Sequence, residues 1–318
     1  MSDTSLEPRG SHAGFSALGR WLNSNPLVIK ELRSRMRGRR AFITLTGYVV
    51  IISAAVSVIY AIYLSSNSPV NSLDEQQIFG KVLFGAVVWL ELLSACFIAP
   101  ALTAGGISSE REHQTYDILR TTLLSPGALV MGKFLSGLMF LLLLLLCALP
   151  LQSLAFLFGG VALEEFLIAT AVLVVTATTF CATGIFFSSF VPRTLISTVL
   201  SYGFAILLVF GLPMLILAVI SAGSAVFNGL NGPNLTTFQQ AMLVVLGWIV
   251  IASNPMATVI ATEAILLDAQ SAFVYTLPLN NGYTLPLPSP WIPYILIYLS
   301  LSLVLLLIST RIVRRSDK

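Results

Sequence analysis

Residues 129–158 read Leu129-Val-Met-Gly-Lys133-Phe-Leu-Ser-Gly-Leu-Met-Phe-Leu141-Leu-Leu-Leu-Leu-Leu146-Cys-Ala-Leu-Pro150-Leu-Gln-Ser-Leu-Ala-Phe-Leu-Phe158. One charge, Lys133, stands near the start, and Leu141–Leu146 are six leucines in a row. A helix crossing the hydrocarbon of a bilayer needs about 20 mainly apolar residues. This stretch meets that length and reads as a membrane-spanning helix.

Working outward, residues 41–64, 80–104, 166–190, 194–220 and 291–310 meet the same criterion. The 318-residue chain is 56% hydrophobic and 10% charged, against about 25% charged in soluble domains. A soluble fold would lack the polar surface to cover itself, whereas a bilayer accepts apolar side chains facing outward. The predicted fold class is therefore an all-α polytopic membrane protein. The three cysteines, Cys96, Cys147 and Cys181, lie in apolar runs, which argues against a disulfide framework or a cysteine-rich metal site. Histidine occurs only at His12 and His113.

Positive loops stay in the cytoplasm, so Lys and Arg orient the spans. Eight of the 17 lie in residues 1–40, four lie in 311–318, and Arg111, Arg120, Lys133 and Arg193 flank the second-to-third and fourth-to-fifth connections. Only Lys81 falls on the opposite side, and 194–310 carry neither Lys nor Arg. Six spans put both termini and 16 of the 17 positive charges in the cytoplasm. A seventh span would move one basic terminus outside. Eight spans keep the parity, with 238–252 and 256–277 crossing as a pair.

Six spans leave 221–290 outside, too apolar for a plain loop. The expectation is an outer cap of two short re-entrant helices hinged at Asn254-Pro255, covered by protein because unpaired backbone is not tolerated in lipid. Residues 1–20 read as a mobile cytoplasmic tail, without the apolar core of a signal peptide. Residues 21–40 read as an interfacial amphipathic helix. Asn25 caps it, Pro26 suits its first turn, Val28, Ile29, Leu32 and Met36 share one face, and Lys30, Arg33 and Arg37 flank that face. Residues 41–318 form the transmembrane domain. The basic run beside a first span determines topology and is not a nucleic-acid site.

Among candidate sites, the loop between spans two and three is the most structured. Ser109-Glu110-Arg111-Glu112 fits a capping box, with Ser109 on the Glu112 amide and the Glu112 carboxylate reaching back. The predicted helix runs from 109 to about 122, where Ser125-Pro126-Gly127 stops it. Tyr116, Leu119 and Leu123 share one face, suited either to the interface or to a docking partner. Glu91 sits in the middle of span two. A carboxylate at that depth is either a helix-bridging group, with Ser94 nearby, or part of a translocation path. Glu164-Glu165 and Asp74-Glu75 read as solvated outer turns. Gly127 through Lys133 imitates a phosphate loop, but Phe134 replaces the magnesium-binding Ser or Thr and no strand precedes it. Lys133 reads as a snorkelling side chain.

The run Ile107-Ser-Ser-Glu-Arg-Glu-His-Gln-Thr-Tyr-Asp-Ile-Leu-Arg-Thr-Thr-Leu-Leu-Ser-Pro-Gly-Ala-Leu-Val-Met-Gly-Lys133 resembles the signature loop of ABC-2 type permeases. The N-terminal Asn-Pro…Lys-Glu-Leu-Arg…Arg-Gly-Arg-Arg run resembles their connecting helix, and the order of elements over about 25–315 is similar. The resemblance implies a six-span permease subunit of an ABC exporter in the cell membrane. It implies dimerisation with a second permease, as homodimer or heterodimer, and coupling to a separate ATPase. Carried over, Glu110, Arg111, Glu112 and Thr115 lie in the coupling helix, beside Tyr116 and Leu119. ATP and magnesium then belong to the partner ATPase, and the chain itself is a non-catalytic subunit without cofactor or metal. Two other classes compete. An ion-coupled carrier would use Glu91, but such carriers show internal repeats and several intramembrane polar sites. An intramembrane enzyme would need a His, paired Asp residues or a zinc motif in the spans, and none is present.

Overall fold

The structure, a computed structural model, describes residues 31, 33, 35, 36, 38–65, 73–114, 125–214, 218, 221, 237–269, 272–278 and 284–315. The tail at 1–20, most of the 21–40 segment and residues 115–124 lie outside the described residues, Thr115, Tyr116 and Leu119 among them.

The helices are α1 Arg39–Ser65, α2 Leu73–Thr103, α3 Ser108–Glu112, α4 Pro126–Phe158, α5 Leu163–Phe190, α6 Thr194–Ile206, α7 Thr237–Ala252, α8 Pro255–Ala269 and α9 Trp291–Arg315. Among the described residues six helical stretches, built on α1, α2, α4, α5, α6 and α9, are long and apolar enough to cross a membrane. They fall where the six predicted spans do. Ser125 starts α4. Its hydroxyl accepts from Ala128 N at 3.3 Å, with Pro126 at the first helical position. Gly159 and Gly160, both at positive φ, make the turn into α5.

Helix α5 is the centre of the bundle and packs against α2, α4, α6 and α9. Many of its inward positions are small or hydroxylated, among them Ala169, Thr176, Thr179, Ala182, Thr183, Gly184 and Ser188. Between membrane helices there is no hydrophobic drive, so close approach and interhelical hydrogen bonds hold the bundle. Thr176 Oγ1 and Tyr294 Oη lie 2.6 Å apart, and Thr179 Oγ1 donates to Tyr298 O at 3.0 Å. Those bonds fix α9 on α5. Tyr298 Oη then donates to Ser253 O at 2.8 Å, carrying the network to the α7–α8 junction.

At that junction α7 and α8 bend through 116°. Asn254 is buried and makes the hinge. Its Oδ1 accepts from Ala257 N at 2.9 Å, capping α8, and Pro255 fills the first turn. Its Nδ2 donates to Leu208 O at 3.0 Å and Val209 O at 2.7 Å. Both carbonyls belong to a π-helical turn, Leu207–Gly211, that continues α6. A π turn disturbs the regular ladder, and Asn254 satisfies carbonyls that lipid could not.

The 221–290 segment also contains strands, which the all-helical expectation for it did not include. Strands β1 Val274–Pro278 and β2 Thr284–Pro288 pair antiparallel, Val274 opposite Pro288 and Pro278 opposite Thr284. Trp248 of α7 holds the hairpin, stacking on Tyr275 and donating Nε1 to Pro288 O at 2.7 Å.

Candidate functional site

The bundle has a basic end, at the start of α1 and α4, and an acidic end, at the start of α2 and α5. At the basic end Lys133, one turn or two into α4, is 6% exposed. It does not snorkel. Its Nζ donates to Glu31 Oε1 at 2.5 Å and to Glu110 Oε1 at 2.9 Å. Buried charges persist when paired and hydrogen-bonded, so the ammonium draws two distant carboxylates to itself. Glu31 belongs to the N-terminal segment, where Arg35 also donates to Leu102 O at 2.8 Å. Glu110 belongs to α3.

The start of the loop is bound on two further sides. Ile107 N and Ser108 N donate to Ser188 Oγ at 2.8 and 3.0 Å, and Arg111 Nη1 donates to Ser189 O at 3.0 Å, both at the end of α5. Glu112 Oε2 accepts from Thr194 N at 3.2 Å and from the Thr194 hydroxyl, at the start of α6. The capping box expected within Ser109–Glu112 is thus replaced by partners from other helices. The N-cap of α3 is Ile107, whose aliphatic side chain has no acceptor to offer; Ser188 serves the first amides instead, and Glu112 points to Thr194. The helix expected from 109 to 122 is short in its described part. It ends at Glu112, and Gln114 turns the chain at φ 57°.

So Glu110, Arg111 and Glu112 come together with α4, α5 and α6, while Thr115, Tyr116 and Leu119 lie outside the described residues. Sequence reasoning missed Lys133, Glu31, Ser188, Ser189 and Thr194 as parts of the site. The available signals were a lone Lys entering an apolar span and a lone acid in the basic run at 30–40.

Glu91, 1% exposed, lies halfway along α2. Its Oε2 accepts from Gln152 Nε2 of α4 at 2.7 Å, a partner from another span in place of Ser94. The arrangement is a helix-to-helix bridge. Glu91→Gln should keep expression and transport near wild type, since the amide oxygen still accepts from Gln152. Glu91→Ala should destabilise by about 1–3 kcal/mol by orphaning Gln152. Transport per folded protein, measured in vesicles for both variants, checks this. A glutamine variant that assembles but does not transport would place Glu91 in the translocation path.

At the acidic end Glu165, expected in a solvated turn, is buried and pairs with Lys81 at 3.4 Å. Among the described residues no group of His, Cys, Asp and Glu could hold a metal ion.

No curated protein matches the chain. The family described as ABC-2 family transporter protein matches residues 26–317, which takes in all six apolar spans, the bent α7–α8 pair, the hairpin and the bolted loop. With that coverage the chain belongs to the ABC-2 transporter family, as a multi-pass permease subunit of an ABC transporter.

Proposed function

We propose that the chain is the permease of an ATP-driven exporter in the cell membrane, paired with a second permease subunit, with both termini cytoplasmic and the loop at 109–122 receiving the ATPase. The ATPase is a separate chain that binds ATP and magnesium. The observation that carries this reading is the triple attachment of the loop. Glu110 is held to α4 through Lys133, Arg111 to α5 through Ser189, and Glu112 to α6 through Thr194. An ATPase can move spans only through a contact that does not slip. A loop pinned to three spans transmits displacement to all of them, whereas a free turn would absorb it. The basic end, with its buried Lys133, also suits the cytoplasmic face by the positive-inside rule.

Tyr116 and Leu119 then supply the apolar contact that seats the loop in the ATPase. Buried apolar anchors carry most interface energy, and rim charges tune register. Leu119→Asp should uncouple transport and lose the ATPase on co-purification, at permease levels equal to wild type. Glu112→Gln should retain more ATPase. If Leu119→Asp keeps both ATPase and transport, the docking contact lies on the basic segment at 25–40.

A further inference from the structure

Between α1, α2, α5 and α8 a groove of about 830 Å³ opens on the side of the bundle, within the range of small-molecule sites. Its walls are almost wholly apolar, with Trp89 and Val172 at the deep end. Its shallow end is acidic. Glu263 lines it beside Glu165, and Glu165 is engaged by Lys81. From Glu165 to Val172 the groove follows α5 for about 10 Å at 1.5 Å per residue, most of one leaflet's hydrocarbon depth of about 15 Å. Two polar atoms there are buried without a hydrogen-bond partner among the described residues: Glu263 Oε1 and Thr262 Oγ1, Thr262 being 5% exposed. Natural structures rarely leave such atoms unmet.

The charges decide what would meet them. Among the described side chains the acidic end carries three carboxylates, Glu164, Glu165 and Glu263, against one cation, Lys81. With Lys81 bonded to Glu165 at 3.4 Å, Glu263 forms no ion pair of its own among the described residues. We propose that the groove binds an amphiphile with a net positive ammonium head, the head at Glu263 and Thr262 and the apolar tail along Phe84, Val88 and Trp89. Anionic amphiphiles are repelled at the same end. A zwitterionic bilayer lipid brings a phosphate that the surrounding carboxylates disfavour.

Binding is an equilibrium property of this chain, so it is read without an ATPase and independently of coupling. The full chain is placed in phosphatidylcholine nanodiscs and titrated with bromoundecyl-trimethylammonium, whose bromine quenches Trp89; Trp89→Phe identifies that part of the signal. Saturable quenching is expected, with the bromoundecyl sulfate at least about tenfold weaker. Glu263→Gln should lower the ammonium affinity about fivefold or more while leaving bromoundecyl maltoside unchanged. Gly85 lines the groove, and a Cβ there meets nothing within 4 Å. Gly85→Leu should therefore fill the space without disturbing the fold and abolish quenching by all three probes. Non-saturable quenching, equal affinity for the sulfate, or an ammonium preference unchanged in Glu263→Gln would each overturn the proposal, as would no quenching because a second subunit covers the groove.

Discussion

Lys133→Met should destabilise the folded bundle by about 3 kcal/mol and abolish ATP-driven transport. The ammonium is the common partner of Glu31 and Glu110, at 2.5 and 2.9 Å. Removing one member of a buried ion pair leaves the other charge uncompensated, which costs about 3–5 kcal/mol. The low end applies because Glu31 and Glu110 keep 21% and 28% of their side chains exposed and Glu31 retains Arg35 at 4.0 Å. Methionine matches the lysine stem in bulk, so little of the loss comes from packing. The triple variant Lys133→Met, Glu31→Gln, Glu110→Gln removes all three charges together. It should recover most of the stability, since neutral replacement of a whole buried ionic group is often close to neutral. It should not recover transport, because the tie from the loop to α4 is still gone. Denaturant unfolding in nanodiscs and vesicle transport with the ATPase report the two effects separately. A single variant as stable as wild type would mean that the bridge contributes nothing; a triple variant that transports normally would mean that coupling runs only through α5 and α6.

What the sequence made legible here follows the range of the forces involved. The six spans were readable because lipid imposes length and apolarity locally, on each segment alone. The Asn254-Pro255 hinge was readable for the same reason, since a cap and a first-turn proline act within one turn. The hairpin was readable in principle. Tyr-Thr-Leu-Pro occurs at 275–278 and again at 283–286, with Asn281-Gly282 between them, a strong hairpin signal overshadowed by the helical reading of the whole 221–290 segment. The polar site was legible only in part. Resemblance pointed to Glu110, Arg111 and Glu112, but local rules misjudged what they bind. The capping box pairs residues three apart, and it lost to Ser188 and Thr194, about 80 residues away. Snorkelling considers a lysine and its own helix, whereas Lys133 is set by Glu31, 102 residues distant. Glu165 departs from the solvated reading for the same reason, with its partner Lys81 on another span.

Gly137→Ala and Gly184→Ala should both destabilise the bundle, and only the first should be fully rescued by Thr103→Ala. Thr103 closes α2, immediately before the turn into α3, and is fully buried. It sits between two glycines on neighbouring helices. A Cβ at Gly137 of α4 would meet Thr103 Cγ2 at 2.5 Å, and a Cβ at Gly184 of α5 would meet Thr103 Oγ1 at 1.9 Å. Thr103 cannot turn away cheaply. A β-branched side chain in a helix has few χ1 choices, and Oγ1 is bonded to Ala99 O at 2.8 Å. Small residues at such crossings let membrane helices approach closely, and overfilling them costs about 1–3 kcal/mol, more than the roughly 1 kcal/mol that alanine gains over glycine in helix propensity. Thr103→Ala removes both Cγ2 and Oγ1. At Gly137 the next atoms then lie at 4.0 Å, ordinary contact, so the double variant should return to the stability of Thr103→Ala alone. At Gly184 the Thr103 Cβ remains at 3.0 Å and Ala104 N at 3.1 Å, so about half the penalty should persist. Unfolding midpoints of the two double-mutant cycles decide the matter. Equal rescue at both glycines would show that α2 and α5 can part by a few tenths of an ångström here. The loop beyond Thr103 would then be less firmly seated than the proposed coupling requires.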